Sequence, residues 1–141
     1  MKLLGGFALL LAAVHANFFQ DFRLKVMADT YSDAVVVKSN GYYVIETLED
    51  SGEIFKFGDG NILVDSDQVS LIVGNSGEVR GALTDEVPIP GFFFFDNNYD
   101  LKLKSGDDFY VCELQSGTLG LWVGHQQGCT KVELVKHRII Y

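Results

Sequence analysis

The sequence predicts an all-β protein, and three observations support that prediction. Turn signals of the Asn-Gly, Asp-Gly and Ser-Gly type recur along the 141-residue chain between short apolar runs. Those runs are rich in Val, Ile, Phe and Tyr, which favour strands. No stretch keeps the apolar period of a helix over about ten residues. We therefore expect about twelve short strands, at the spacing typical of a barrel or a sandwich.

The predicted strands follow one another with a turn signal at most of their boundaries. They cover residues 22–27, 34–38, 42–47, 53–57, 61–64, 69–73, 78–83, 92–95, 100–104, 109–114, 118–123 and 131–137. The Asn-Gly and Asp-Gly pairs suit tight hairpin turns, because both central residues of such a turn need positive φ. The segment 84–91 is predicted to be a loop, because Pro88 and Pro90 cannot donate to a sheet ladder.

A weak internal repeat refines the fold class. Residues 55–63 resemble residues 93–101, since both place aromatic residues before a short Asp, Asn or Gly turn. Three units of about forty residues would fill the chain after its N-terminal segment. This predicts a β-trefoil-like fold, with twelve strands in three lobes around a pseudo-threefold axis. A two-sheet β-sandwich is the alternative.

The N-terminal segment has the pattern of a secretory signal peptide. Lys2 provides a positive charge, residues 3–14 form an apolar run, and Ala16 ends a small-residue cleavage motif. The run is too short for a membrane anchor. We therefore expect a signal peptide over residues 1–16 and a single secreted domain over 17–141. Residues 135–141 carry charges and lack the apolar tail of a lipid-anchor signal, so no membrane anchor is expected.

The net charge of the chain is −8 with His neutral, and cleavage would remove Lys2 as well. An acidic protein of this size is repelled by phosphate backbones and by anionic membrane surfaces. Nucleic acid is therefore excluded as a partner.

Both cysteines, Cys112 and Cys129, lie in one predicted hairpin together with the only tryptophan, Trp122. Apolar residues alternate with Gly and Trp over 119–123, which is the period of a strand. In a secreted chain, two cysteines favour one disulfide over a metal site or a free nucleophile. Closing a loop of this length stabilises a fold by roughly 3 kcal/mol. We assign both cysteines a structural role.

The order of these features resembles that of the PhiA-like fungal cell-wall proteins and the related yeast cell-wall mannoprotein domain. The shared features are a Phe-led strand at 22–26, a hairpin at 55–63 and an aromatic-led hairpin at 93–112 that runs into a cysteine. A Gly-x-x-x-Leu-Trp motif at 117–122 follows, with the second cysteine shortly after it. The chain departs from the family in being short and in lacking additional cysteines and a Ser/Thr-rich tail. The resemblance implies a secreted or wall-associated fungal protein without established catalysis.

No residue is assigned a catalytic role. A glycosidase needs two carboxylates that face each other across a sugar cleft. The nearest pairs, Asp65 with Asp67 and the adjacent aspartates at 107–108, lie beside turns, where acidic residues usually face water. Cys112 could act as a nucleophile with His125 as base, but a disulfide would remove that option.

No metal or other cofactor is expected. His125 with the two cysteines gives three metal ligands and no fourth. Asp59, Asn61, Asp65 and Asp67 offer oxygen ligands, but their spacing does not match an EF-hand loop. A solvated hairpin is the preferred interpretation of this acidic segment.

The tyrosines and the tryptophan raise the possibility of sugar binding, since aromatic rings can stack on the apolar faces of sugars. The available rings are Trp122, Tyr42, Tyr43, Tyr99 and Tyr110. The Gln-x-Trp signature of trefoil lectins does not occur in the chain. A tryptophan on a strand next to a disulfide is more often part of the core, and we favour that interpretation.

Four consecutive phenylalanines, Phe92, Phe93, Phe94 and Phe95, form the most unusual local feature. On a strand, alternate rings point to opposite faces. We favour burial of both faces, one by the core and one by a neighbouring loop. The alternative is an exposed apolar face that binds a partner subunit or the wall matrix.

The expected function is that of a secreted, non-enzymatic, fungal cell-wall-associated structural protein. One alternative is a secreted carbohydrate-binding, lectin-like module, and another is a secreted protein that acts on a host or partner protein. A small glycan-cleaving enzyme is the least favoured. The expected partner is a cell-wall glycan or a wall protein, and the oligomeric state stays open.

Overall fold

The structure is a computed structural model that describes residues 21–47 and 52–139. The signal-peptide prediction for 1–16 falls outside these residues. The described part contains twelve β-strands and no helix, which confirms the all-β prediction. The strands are β1 Phe22–Ala28, β2 Tyr31–Ser39, β3 Tyr42–Glu46, β4 Lys56–Gly58, β5 Ile62–Val64, β6 Leu71–Val73, β7 Val79–Gly81, β8 Phe93–Phe95, β9 Leu101–Leu103, β10 Phe109–Glu113, β11 Leu119–Val123 and β12 Thr130–Arg138.

Six of these strands close into an antiparallel barrel. The order around it is β1, β2, β3, β11, β10 and β12, and β12 pairs with β1 again. The β1–β12 ladder is the longest contact between distant parts of the chain, running from Phe22 opposite Arg138 to Met27 opposite Glu133. Closure leaves the six barrel strands without a free edge, except where β3 and β11 separate.

The middle of the chain adds three hairpins to this barrel. They are formed by β4 with β5, β6 with β7, and β8 with β9. The β6–β7 hairpin joins the barrel sheet through Tyr42 of β3, which pairs with Arg80 of β7. The predicted proline loop lies between β7 and β8, as expected. The predicted strand at 53–57 is shifted, because before β4 only Phe55 pairs, through an isolated bridge to Phe22.

The strand pairing does not show the three-lobed order of the predicted β-trefoil, and the alternative sandwich is not confirmed either. Three lobes would share the barrel between them, but here the barrel strands come from the two ends of the described chain. The repeat that suggested lobes corresponds to the β4–β5 and β8–β9 hairpins, both outside the barrel. The rings of Phe57 and Phe95 from these hairpins meet edge to face, with centroids 5.8 Å apart.

Strand alternation explains where the core lies. Along β1, the side chains of Phe22, Leu24 and Val26 point into the barrel and are buried. They pack with inward residues of the other barrel strands, including Tyr43 and Leu134, in one continuous cluster. A second, smaller cluster lies on the outer face of the sheet and contains Val35, Val37 and Val44.

Within β8 the phenylalanine run follows strand alternation, whereas Phe92 lies before the strand. Phe93 is 4% exposed and belongs to the core, and Phe95 packs edge to face on Phe22 at 5.1 Å between ring centroids. Phe92 is partly buried against the same core. Phe94 points outward and is 43% exposed. Burial of both faces is therefore incomplete, and Phe94 is the most exposed ring of the run.

We expect Phe93→Ala to lower the free energy of unfolding by about 3–5 kcal/mol, because it leaves a cavity in the core. The matched change Phe94→Ala should lower it by about 1 kcal/mol or less, since this side chain is 43% exposed. Urea unfolding followed by far-UV circular dichroism measures both values. Equal losses for the two variants would contradict this description of the run.

Candidate functional site

The barrel closes at its weakest point between β3 and β11, which we call the seam. Two residue pairs join these strands, Leu119 with Ile45 and Gly120 with Val44. Beyond them the strands separate around β7. Tyr42 of β3 then pairs with Arg80, and Trp122 of β11 forms an isolated bridge with Glu78 just before β7.

Tyr42 and Trp122 both lie on the outer face of the barrel at this seam. Their strand neighbours Tyr43 and Leu121 point inward and belong to the core cluster, so alternation places Tyr42 and Trp122 outside. Tyr42 is 47% exposed and Trp122 is half-buried. The expectation that Trp122 belongs to the core is therefore not met, because its strand presents the opposite face to the barrel interior.

A groove of about 290 Å³ opens between these two rings. Its lining includes Tyr42, Ser76, Glu78, Leu114 and Trp122. Leu114 reaches the groove because Gly120 has no side chain; a Cβ at Gly120 would lie 3.3 Å from the Leu114 side chain. The groove is thus mostly apolar and aromatic, with a carboxylate and a hydroxyl beside it.

Charged groups next to the groove are held in fixed positions. Glu78 accepts a 3.2 Å hydrogen bond from the backbone N–H of Ser76 and lies 3.6 Å from the Arg80 Nε. The Arg80 guanidinium also donates two 2.7 Å hydrogen bonds to the carboxylate of Glu86. These bonds lower the pKa of Glu86 to about 2 and raise the pKa of Arg80. Such a two-bond arrangement fixes the guanidinium plane beside the groove.

Gly77 anchors the β6–β7 turn against Trp122. Its φ is +99°, a conformation that side chains rarely adopt, and a Cβ there would lie 2.6 Å from the Val123 carbonyl oxygen. The Val123 N–H donates a 2.7 Å hydrogen bond to the Gly77 carbonyl. The position of Ser76 and Glu78 relative to Trp122 is therefore set by backbone contacts.

Two further aromatic side chains continue the surface from Trp122. Tyr110 of β10 lies directly opposite Trp122 in the strand register. The ring of His125 meets the ring of Tyr110 at 5.7 Å between centroids and an angle of 81°. We call Tyr42, Trp122, Tyr110 and His125 the outer aromatic strip.

The predicted disulfide joins Cys112 and Cys129. Cys112 lies two residues from Tyr110 on β10, and Cys129 precedes β12. The bond therefore ties the turn that carries His125 to the strand that carries Tyr110. It also uses both sulfur atoms, which removes the Cys112–His125 nucleophile and the His/Cys metal site from consideration.

The acidic segment that could have held calcium has a different role. The Asp65 carboxylate is fully buried. It accepts hydrogen bonds from the Tyr43 hydroxyl at 2.8 Å and from the backbone N–H groups of Asp67 and Val69 at 2.9 and 3.1 Å. The Lys38 Nζ lies 2.7 Å from it. Asp65 is thus a satisfied structural anion that shapes its own turn.

The remaining acidic candidates are not assembled into a site. Asp67 is exposed and shares the Lys38 ammonium at 3.2 Å, Asp59 is exposed at its turn, and Asp108 lies 3.4 Å from the Lys131 Nζ. Among residues 21–47 and 52–139, no three His, Cys, Asp or Glu side chains are grouped as metal ligands.

The ionisation of Asp65, Lys38 and Tyr43 follows from their mutual contacts. Burial alone would raise the pKa of Asp65, but the hydrogen bonds from Lys38, Tyr43 and the two backbone amides outweigh it and lower that pKa. Burial also opposes the charge of Lys38, yet Asp65 and Asp67 raise its pKa overall. Burial and the neighbouring Asp65 raise the pKa of Tyr43, which keeps its proton.

Comparison with known proteins found no matching family model, no matching curated protein and no matching solved structure. In the described part of the chain, no helix has the length and hydropathy needed to cross a membrane.

The sequence identified five candidate rings, of which Tyr42, Tyr110 and Trp122 lie in the strip, but it did not predict the groove. Glu78, Ser76 and Arg80 were not singled out, because they become neighbours of Trp122 only through the β7 pairing at the seam. Tyr43 was a candidate ring and is buried. Tyr99 is exposed on the β8–β9 turn, outside the strip.

We expect Asp65→Asn to lower the free energy of unfolding by about 3 kcal/mol, because Lys38 loses its buried partner. The matched change Asp67→Asn should lower it by less than about 1 kcal/mol, because this side chain is 72% exposed. Urea unfolding at pH 7 compares the two variants.

Asp65→Asn also tests how the free energy of unfolding depends on pH. The folded-state pKa of Asp65 is below the unfolded value, so its contribution is complete above about pH 4 and is lost as the pH falls through the folded pKa. Between pH 7 and pH 3 the stability of Asp65→Asn should therefore fall less steeply than that of the wild type. Identical slopes would show that Asp65 is not the group responsible.

Proposed function

We propose that this protein is a secreted, non-enzymatic structural protein associated with the fungal cell wall. The observation that carries the proposal is the Cys112–Cys129 disulfide in a closed barrel. Disulfides persist in oxidising extracellular compartments, and closure protects the barrel strands from pairing with other chains. The order of motifs that resembles the PhiA-like wall proteins gives the proposal its cellular setting.

Two of the side chains that could have served catalysis, Asp65 and Cys112, have structural partners, which supports a non-enzymatic role. The buried carboxylate of Asp65 is occupied by four donors. Cys112 is bonded to Cys129. A catalytic acid or base needs a free proton site within reach of a substrate, and these groups do not offer one.

The second candidate is a carbohydrate-binding module, and the outer aromatic strip favours it. Aromatic side chains with an apolar face and a polar edge are typical of binding surfaces. The groove between Tyr42 and Trp122 adds a concave element to the strip.

Action on a host or partner protein is the third candidate. The loop between β7 and β8 exposes Leu83, Val87 and Ile89 next to an apolar groove of about 320 Å³. The Arg80–Glu86 ion pair and a 2.7 Å hydrogen bond from the Leu83 N–H to Glu86 hold the start of this loop. Exposed apolar patches of this kind occur at protein interfaces.

The architecture bears on whether the carbohydrate-binding candidate can be argued by analogy with trefoil lectins. Twelve strands, a closed six-stranded barrel and three hairpins are parts that a β-trefoil also has, but the pairing order differs. We therefore infer function from this barrel and its surface, and not by analogy with trefoil lectins.

We expect the protein collected from the medium of an expressing fungus to sediment with whole fungal wall, and with insoluble β-glucan or chitin. Wall association predicts saturable depletion from solution that resists a salt wash, since an acidic protein should not bind through simple charge attraction. A reduced and alkylated sample serves as the control for fold dependence. Full recovery in the supernatant with all three solids would overturn wall association and direct attention to a protein partner.

A further inference from the structure

We propose that the outer aromatic strip binds a neutral polysaccharide chain that runs across the barrel strands at the seam. The proposal rests on the carbohydrate-binding candidate above, and it assigns that candidate a site and a class of ligand. The juxtaposition that carries it is the groove between Tyr42 and Trp122, with Glu78 beside it and Tyr110 on the far side of Trp122.

Three rings of the strip, Tyr110, Trp122 and Tyr42, lie on barrel strands on either side of the seam. Tyr110 lies on β10 and Trp122 on the adjacent β11, and Glu78 bridges Trp122 toward β7. Tyr42 lies on β3, the strand that pairs with β7. Adjacent strands are about 5 Å apart, so three strand steps separate Tyr110 from Tyr42 by roughly 15 Å. A surface of this length can contact several consecutive sugar units of a polysaccharide, whereas a single monosaccharide would cover only part of it.

The rings at the groove are available for a ligand. The ring–ring contacts of the core join Phe22, Phe55, Phe57, Phe95 and Tyr43. Across the described ranges, no ring–ring contact joins Tyr42 or Trp122 to another aromatic side chain. Tyr42 is 47% exposed and Trp122 is half-buried, so part of each ring can cover the apolar face of a sugar.

Polar groups beside the groove match the hydroxyls of a sugar. The Glu78 carboxylate is partly exposed and can accept further hydrogen bonds from hydroxyl groups. Ser76 is exposed, and the Gln126 amide donates a 3.5 Å hydrogen bond to the Ser76 carbonyl. Ligand hydroxyls can thus bond to a carboxylate, a hydroxyl and an amide within one short segment of surface.

The charge of the protein restricts the ligand to a neutral polymer. The net charge is −8, and Glu78 is the acidic residue in the lining of the groove. A sulfated or uronic acid polymer would be repelled by this surface. A neutral glucan or chitin chain has no charge to repel and many hydroxyls to donate.

The site is also preorganised. Gly77 fixes the turn that carries Ser76 and Glu78, the Arg80–Glu86 pair fixes the guanidinium beside Glu78, and the disulfide fixes the turn that carries His125. Binding therefore requires little ordering of the protein, which lowers its entropic cost.

The single tryptophan makes the test direct, since Trp122 is the only source of tryptophan fluorescence in the chain. The probes are soluble hexasaccharides of β-glucan and chitin type, titrated into the full secreted protein. We expect a saturable change in Trp122 emission with a neutral hexasaccharide and no change with an equally long sulfated oligosaccharide. An equal response to the sulfated probe would overturn the assignment of a neutral ligand.

Variants then locate the site through pull-down isotherms on the insoluble polymer. Tyr42→Ala and Trp122→Ala should each weaken binding by about tenfold or more, whereas Tyr42→Phe, which keeps the ring, should bind within about threefold of wild type. Tyr99→Ala is the matched control, because Tyr99 is exposed outside the strip. Trp122→Phe replaces Trp122→Ala if the latter fails to fold by circular dichroism, and it should retain partial binding.

The outcomes separate this proposal from the function it rests on. Glycan binding that Tyr42→Ala and Trp122→Ala leave unchanged would overturn the site and keep the carbohydrate-binding function. Retention on whole wall without binding to any purified glycan would overturn both, and would leave wall association through a protein. A dimer that Trp122→Ala converts to a monomer in sedimentation analysis would identify the strip as a contact between copies and overturn the proposal.

Discussion

Closure of the barrel at the seam is the constraint on which the rest of the structure depends. Two residue pairs between β3 and β11 complete a ring whose other five ladders each contain more residue pairs. Once the ring is complete, every barrel strand has one enclosed face and one outer face. The enclosed faces form the continuous core. In the closed barrel Tyr42 and Trp122 lie on the outer face, and the β7 segment lies between them.

Local features of the fold could be predicted from the sequence because they depend on short-range sterics. The turn signals at Asn40–Gly41, Gly60, Gly106 and Gly117 adopt the positive φ that their residue types favour. The order of strands could not be predicted in this way. β1 pairs with β12, and no local propensity specifies a partner at the other end of the chain. The repeated aromatic pattern predicts lobes, but it corresponds to two similar hairpins outside the barrel.

The site shows the same division. Residue chemistry and the expected compartment were sufficient to pair the cysteines. Alternation correctly placed Leu121 and Val123 on one face of β11 and Trp122 on the other. Which face of β11 is enclosed depends on barrel closure, which the sequence does not show. The expectation of a core tryptophan therefore rested on how often tryptophans are buried in proteins, and not on the geometry of this strand. The roles of Glu78 and Arg80 depend on a hairpin that inserts at the seam, and the role of Asp65 depends on donors from two distant strands.

The pairing of the first barrel strand with the last has a consequence for biosynthesis. β1 and β12 lie at opposite ends of the described chain, and their ladder covers six residue pairs. Hairpins such as β4–β5 and β6–β7 can form as soon as they are synthesised, whereas β1 must wait for β12. During that interval β1 presents an unpaired edge, the kind of surface that promotes aggregation. The exposure of this edge therefore lasts until β12 has been synthesised, however early the local hairpins form.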